Sequence, residues 1–268
     1  MVVVALLSLI LLALMTVFNT TQTAFRASVT QTDVQEGGRL AMDLIATDLR
    51  AMSPSAGTNF GAVNFSANTS VDYVPSYNEP LVQSLIPGSI LRTNVMQDIF
   101  ILSRANQTWT GVGYVVDFTS TRYVNPLYRF SMSTNIQTDP GQLYRAFLSN
   151  SNYDSTTNNW SHLLSGVVHF NVNAYGPNGQ WLVGGSSYSN GIAYVPATVG
   201  NTGFFMYSNT LPAMVELQLG VLEDRTLAHV EGLGNFTVRS NYLSAQAAKV
   251  HLFRQQIYIP NFDPAVYQ

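Results

Sequence analysis

Cysteine is absent from this chain, and lysine nearly so: Lys249 is the only one in 268 residues. The first absence excludes a disulfide framework and thiolate metal sites, though it does not fix the compartment. The second matters together with the balance of 12 Lys and Arg against 15 Asp and Glu, a net charge of −3, which leaves no basic surface for nucleic acid. Charge of either sign is scarce, at 10% of residues, while 46% are hydrophobic. Asn, Ser, Thr, Gly and Tyr supply the polarity instead. Catalytic patterns are missing too. There is no GxSxG, no P-loop, no GxGxxG opening a helix and no HExxH. His162, His169, His229 and His251 include no i, i+4 pair, and His169 alternates with core residues, which reads as a satisfied histidine rather than a ligand. Glu223-Asp224 reads as a strand-end turn rather than an acid/base pair. The expectation is a protein that is not an enzyme and carries no cofactor.

What is present begins with a greasy rod. No charge precedes Arg26, and Met1 to Phe18 holds only Ser8 and Thr16 as polar residues. As a helix those residues span roughly 27 Å, close to the hydrocarbon thickness of a bilayer. A cleaved secretory signal needs a basic n-region, a shorter apolar core and a small-residue cleavage site, and none of these is apparent. The apolar side chains Val4, Leu6, Leu7, Leu9, Ile10, Leu11, Leu12, Leu14, Val17 and Phe18 are therefore assigned to a membrane or filament-core helix. Helical periodicity then continues. Ala41, Ile45, Leu49 and Met52 recur at four, four and three, with Asp43, Asp48 and Arg50 off that stripe. Leu40, Leu44, Ile45 and Leu49 are expected to pack this half against a sheet. One helix of about 50 residues results, near 75–80 Å long. Gly37-Gly38 is its expected soft point, and Ser53-Pro54 its stop. The division is thus 1–53 for the helix (1–25 membrane or filament core, 26–53 amphipathic) and 54–268 for a β-rich globular domain.

After Pro54 the period changes to two. "DIFILSRA" is apolar on both faces and reads as a central strand, in a hairpin with "GVGYVVDF" across Ala105–Thr110. "PLYRFSMS" follows. "GVVHFNVNAYGPNGQW" alternates Val168, Phe170, Val172 and Ala174 with His169, Asn171, Asn173 and Tyr175, then turns at Gly176-Pro177-Asn178-Gly179. "LPAMVELQLGVLED" alternates Val215, Leu217, Leu219 and Val221 with Glu216, Gln218 and Gly220. A short helix is expected over Tyr242–Lys249, leading into a last strand, "VHLFRQQIYIP". Stretches 53–98, 149–162 and 184–202 read as long polar loops. The class is α+β: a long helix followed by an antiparallel sheet. Tyr153, Trp160 and Tyr188, aromatics within polar stretches, read as packing lids more than as a binding surface. The six Asn-x-Ser/Thr sequons, at Asn19, Asn64, Asn68, Asn106, Asn159 and Asn235, carry little weight in so Asn-rich a chain.

An apolar helix running into an amphipathic one that ends "GGRLAMDLIATDLRAMS" resembles type IV pilins and pseudopilins. With "LLSGVVHFNVNAYGPNGQW" and "LPAMVELQLGVLED" following in order, it is most similar to J-type minor pseudopilins of type II secretion and to PilW-like minor pilins. The resemblance implies a pilin-like fold and a structural subunit of a type IV pilus-like or secretion pseudopilus filament, minor or tip-proximal. It implies other pilin-like subunits as partners, and the inner membrane before assembly. It places the chain in the cell envelope, single-pass in the cytoplasmic membrane first and in a periplasmic or extracellular filament later. The alternative is a helix-anchored adhesin that does not polymerise. The family's starting pattern is missing: Ala5 stands where a fifth-position glutamate falls if Met1 opens the mature chain, and no carboxylate occurs before Asp33. A register with that glutamate upstream of Met1 fits the apolar run better. Related pseudopilins hold calcium, and Asp154 in "NSNYDSTTNN" is the weak candidate here. A single carboxylate without EF-hand spacing reads as a solvated loop.

Overall fold

The computed structural model describes residues 2–55, 62–69, 83–86, 90–92, 95–117, 125–149, 159–182, 192–195, 203–234, 238, 242, 245–246 and 249–267. A single helix, α1 (Val2–Arg50), opens the chain. β1 (Val63–Thr69) follows, then the pair β2 (Gln83–Ile86) and β3 (Ile90–Arg92). β4 (Gln97–Ala105), β5 (Thr108–Val116) and β6 (Asn125–Asn135) lead into α2 (Gly141–Ser149). β7 (Trp160–Tyr175), β8 (Ile192–Val195), β9 (Gly203–Tyr207) and β10 (Met214–Leu222) come next. α3 (Asp224–Gly232), β11 (Val250–Tyr258) and a 3-10 turn (Pro264–Tyr267) end it. Among the described residues nine strands form one sheet in the order β11-β10-β7-β6-β5-β4-β1-β9-β8, and neighbouring strands in it pair antiparallel. The class is α+β, an apolar N-terminal helix followed by an antiparallel sheet.

Strand alternation decides which side chains meet the helix. Ile99 and Ile101 of β4, Val112, Tyr114 and Val116 of β5, and Val215, Leu217, Leu219 and Val221 of β10 all enter the cluster that receives α1. From α1 that cluster takes Val34, Ala41, Met42, Ile45, Ala46 and Leu49. Phe100, Leu102, Val115 and Phe130 point the other way, where α2 covers them with Leu143, Tyr144 and Phe147. Gly113 makes room for α2, since a Cβ there would run into the Phe147 ring. The hairpin between β4 and β5 closes on Asn106, whose φ of 53° is left-handed backbone that Asn tolerates.

Three expectations are corrected. Leu40 does not pack against the sheet: it is 69% exposed. At ~100° per residue it lies about 140° from Ile45 and 180° from Leu49, so all three cannot face one surface. α1 runs continuously through Gly37-Gly38. A Cβ on Gly38 would strike the Phe253 ring of β11, and one on Gly37 would come within 3.2 Å of Leu164. The glycines therefore allow close approach of the sheet. Stretches 53–98, 149–162 and 184–202 are not wholly loop, because β1, β2, β3, the start of β7 and β8 lie in them. Val168 does not share a face with Phe170. Gly220 pairs with His169 but Val221 with Val167, so Val168 is the extra residue of a β-bulge and turns to Leu222 and Val230 of α3's side. Half of Tyr242–Lys249, and all of Asp154, Tyr153 and Tyr188, lie outside the described residues. Trp160 is buried against Phe130 and Phe147.

Candidate functional site

Hydroxyl groups within the apolar half of α1 are satisfied by the helix itself. The Ser8 hydroxyl donates to the Val4 carbonyl at 2.9 Å and Thr16 to Leu12 at 2.9 Å. Thr20 and Thr21 do the same one turn on, each at 2.8 Å. Such i to i−4 bonds leave no side-chain hydroxyl needing water, which suits an apolar surrounding. Val4, Leu6, Leu7, Leu9, Ile10, Leu11, Leu12, Leu14, Val17 and Phe18 are all exposed. Leu6–Phe25 is, among the described residues, the one helical segment long and apolar enough to cross a membrane, and 0% of it is buried. Length and composition of this kind serve a membrane anchor or a signal sequence alike.

The exposed apolar face does not stop at the end of that segment. Leu7, Phe18, Val29 and Leu40 recur every eleven residues, and all four are exposed. Eleven residues return to within about 20° of the starting direction, so they form a nearly straight stripe. The stripe lies on the side of α1 away from its own sheet. In its second half α1 has one apolar face, taken by the domain, while Val29 and Leu40 stand exposed on the other side among Asp33, Glu36 and Asp43.

The second half is held by more than burial. Asp48 carries a two-pronged interaction with Arg129 of β6, Nε to Oδ2 at 3.0 Å and a terminal nitrogen to Oδ1 at 3.2 Å. The Tyr114 hydroxyl of β5 donates to the same carboxylate. Burial, then the Asp48 charge, pushes the Tyr114 phenol well above its ordinary value. Burial works to lower the Arg129 value, but Asp48 outweighs it and the guanidinium is raised. Past the helix end the Asn261 amide donates to the Met52 carbonyl at 2.8 Å, and the Ser53 N–H to Leu102 at 3.0 Å. Sequence periodicity placed Asp48 off the buried stripe and missed this pairing. The available signal was Arg129, a cation sharing a face with Leu127, which is buried in the cluster that receives α1.

On the sheet face opposite α1, β7, β10 and β11 place a second polar group together. Cross-strand register aligns Tyr175, Met214 and Tyr258 in one row, Asn173, Glu216 and Gln256 in the next, and Asn171, Gln218 and Arg254 in a third. The Glu216 carboxylate is nearly inaccessible, at 2% side-chain exposure. It receives Arg254 at 2.5 Å, Gln218 at 2.6 Å and Asn173 at 3.4 Å. Burial acts to raise its pKa, but these donors outweigh it and hold the carboxyl below the usual range. His169, at the fourth row, accepts the Val95 N–H on Nδ1 at 3.0 Å and faces Gln218 Oε1 with Nε2 at 3.4 Å. It is a satisfied histidine.

The remaining candidates are dispersed. His162 bonds Ser165 at 3.0 Å, His229 stacks on Tyr242, and His251 faces Glu223 at 3.4 Å. Glu223 precedes α3 and also pairs with Lys249 at 3.6 Å, so the Glu223-Asp224 pair opens a helix rather than a simple turn. No group of three or more His, Asp or Glu side chains is gathered in metal-binding geometry among the described residues. Asn64, one of the sequon asparagines, is fully buried, its amide held by the Ser208 and Thr210 carbonyls at 2.7 and 3.1 Å. No family model, curated protein or solved structure matches the chain.

Proposed function

We propose that this chain is a structural subunit of a filament of the type IV pilus or type II secretion pseudopilus kind, minor or tip-proximal, held in the cytoplasmic membrane by α1 before assembly. The observation that carries the proposal is the division of one continuous helix. Its second half is core to the domain, while Leu6–Phe25 has none of its residues buried. Each large apolar side chain left in water forgoes roughly 1.5–3 kcal/mol, so this segment requires lipid or equivalent helices around it. The mechanism is an exchange of surroundings: α1 leaves lipid and packs on α1 of neighbouring subunits, so apolar burial is transferred rather than lost. Asp48, Arg129 and Tyr114 keep the domain fixed to the helix while this happens. The minor position draws on the resemblance of "GGRLAMDLIATDLRAMS" and the two strand motifs to minor pilins and pseudopilins.

The test is immunogold labelling of the tagged chain in cells that produce it, with filaments sheared from their surface. Label on helical polymers, concentrated at one end, is the expected result. Label along the whole shaft would make it a major subunit. Label confined to the membrane, with no polymer, would overturn the proposal in favour of a helix-anchored binding module.

A further inference from the structure

We propose that the open face of β7, β10 and β11 binds a neutral polysaccharide. The face is built of planar polar groups: the amides of Asn171, Asn173, Gln218 and Gln256, around the Glu216–Arg254 pair. Its one carboxylate and one guanidinium lie 2.5 Å apart and cancel. The complementary partner is therefore uncharged and rich in groups that both donate and accept hydrogen bonds, and vicinal sugar hydroxyls have that chemistry. Beside the amides lies an aromatic end. Tyr258 is 73% and Trp181 52% exposed, and Trp181 bridges back to Tyr175, which puts both on this face. Tyr175 and Tyr258 flank Met214, with backbones two strand spacings or roughly 10 Å apart. Amphipathic rings exposed beside polar groups suit the C–H face of a pyranose, with the hydroxyls left to the amides. The amides are also pre-oriented. Gln218 and Asn173 are fixed on Glu216, so little side-chain freedom is lost when a chain docks.

Gel affinity electrophoresis of the full chain in a polyoxyethylene detergent, whose headgroup carries no sugar, tests this. The gels contain galactomannan, mixed-linkage β-glucan or dextran, with polygalacturonate and heparin as charged comparators. Retardation by at least one neutral polysaccharide is expected, and at least a tenfold loss of apparent affinity in W181A/Y258A. L148A, an exposed position on α2, which packs over β5 and β6 rather than over β7, β10 and β11, is expected to behave as wild type. Circular dichroism checks the variants, and the two single substitutions carry the test should the double one misfold. Retardation by no neutral polysaccharide, by the charged polymers only, or equally for variant and wild type would overturn the proposal. So would a change in sedimentation of W181A/Y258A without any retardation, which would make the face a contact between copies. The retardation results are independent of filament assembly, so their failure leaves that reading standing.

Discussion

Leu40 and Ile45 are both aliphatic, both on α1 and five residues apart, yet only one is inside. Ile45→Ala is expected to destabilise the protein by about 2–5 kcal/mol, as for other buried aliphatic truncations. Leu40→Ala is expected to change stability by no more than about 0.5 kcal/mol. Thermal denaturation of the two variants side by side measures the difference, and equal losses would show the helix rotated from the orientation described. Glu216 provides a second residue-scale expectation. Its carboxyl is held below the ordinary range, so in the unfolded chain it binds a proton more readily than in the folded one. The stability it contributes is complete above the ordinary carboxylate pKa and is lost as pH falls through the depressed folded value. Substituting Gln for Glu216 is expected to lower stability at neutral pH and to flatten the acid limb of a melting-temperature profile below about pH 4.5. A profile unchanged in shape would mean that Arg254, Gln218 and Asn173 do not favour the ionised form.

At the scale of elements, helix propensity and packing make opposite claims on Gly38. An isolated helix gains roughly 1 kcal/mol on replacing an interior glycine with alanine. Here the added methyl meets the Phe253 ring of β11, and overpacking of that kind typically costs about 1–3 kcal/mol. Gly38→Ala is therefore expected to destabilise, whereas Gly37→Ala, which meets only the tip of Leu164 at 3.2 Å, is expected to be near neutral. Urea denaturation distinguishes them, and a stabilised Gly38→Ala would indicate that the helix and β11 separate easily. The strand elements follow similar logic. β4, β5, β6, β10 and β11 fall where alternation placed them, because each strand buries at least one face and a side chain's direction alternates along it. β1 and β8 were hidden in polar stretches. Asn64, Ser66 and Asn68 interrupt β1's apolar pattern, and the burial of Asn64 depends on hydrogen bonds to the distant Ser208 and Thr210 carbonyls.

The whole molecule is a helix of which one half belongs to a sheet and the other to some different surrounding. Deleting residues 1–26 removes only exposed side chains from the described surface and leaves Val34 to Met52 in the core. That shortened chain is expected to remain in solution without detergent and to unfold in a single cooperative transition followed by circular dichroism. Aggregation or an unfolded spectrum would show that the apolar segment is needed for the fold itself. The stripe Leu7, Phe18, Val29 and Leu40 adds a consequence for assembly. On the proposed function, contact between neighbouring helices extends beyond the greasy segment to Leu40, so Leu40→Ala weakens filaments while sparing the fold.

The sequence by itself determined what depends on local pattern. An uncharged apolar run has to leave water, a four-three stripe of Ala41, Ile45, Leu49 and Met52 has to be buried, and alternation in β5 and β10 has to make sheet. Periodicity encodes these because side-chain direction repeats with backbone geometry, whatever the partner. Tertiary structure alone decided the rest. Which arc of α1 the sheet covers set Leu40 outside. The close approach of Phe253 turned a helix-weakening glycine into a packing requirement. Asp48 found Arg129 and Tyr114, 81 and 66 residues away, and Glu216 found Arg254, 38 residues on. Such pairings join groups from separate elements, and a pattern read along the chain carries no term for the distance between them once folded.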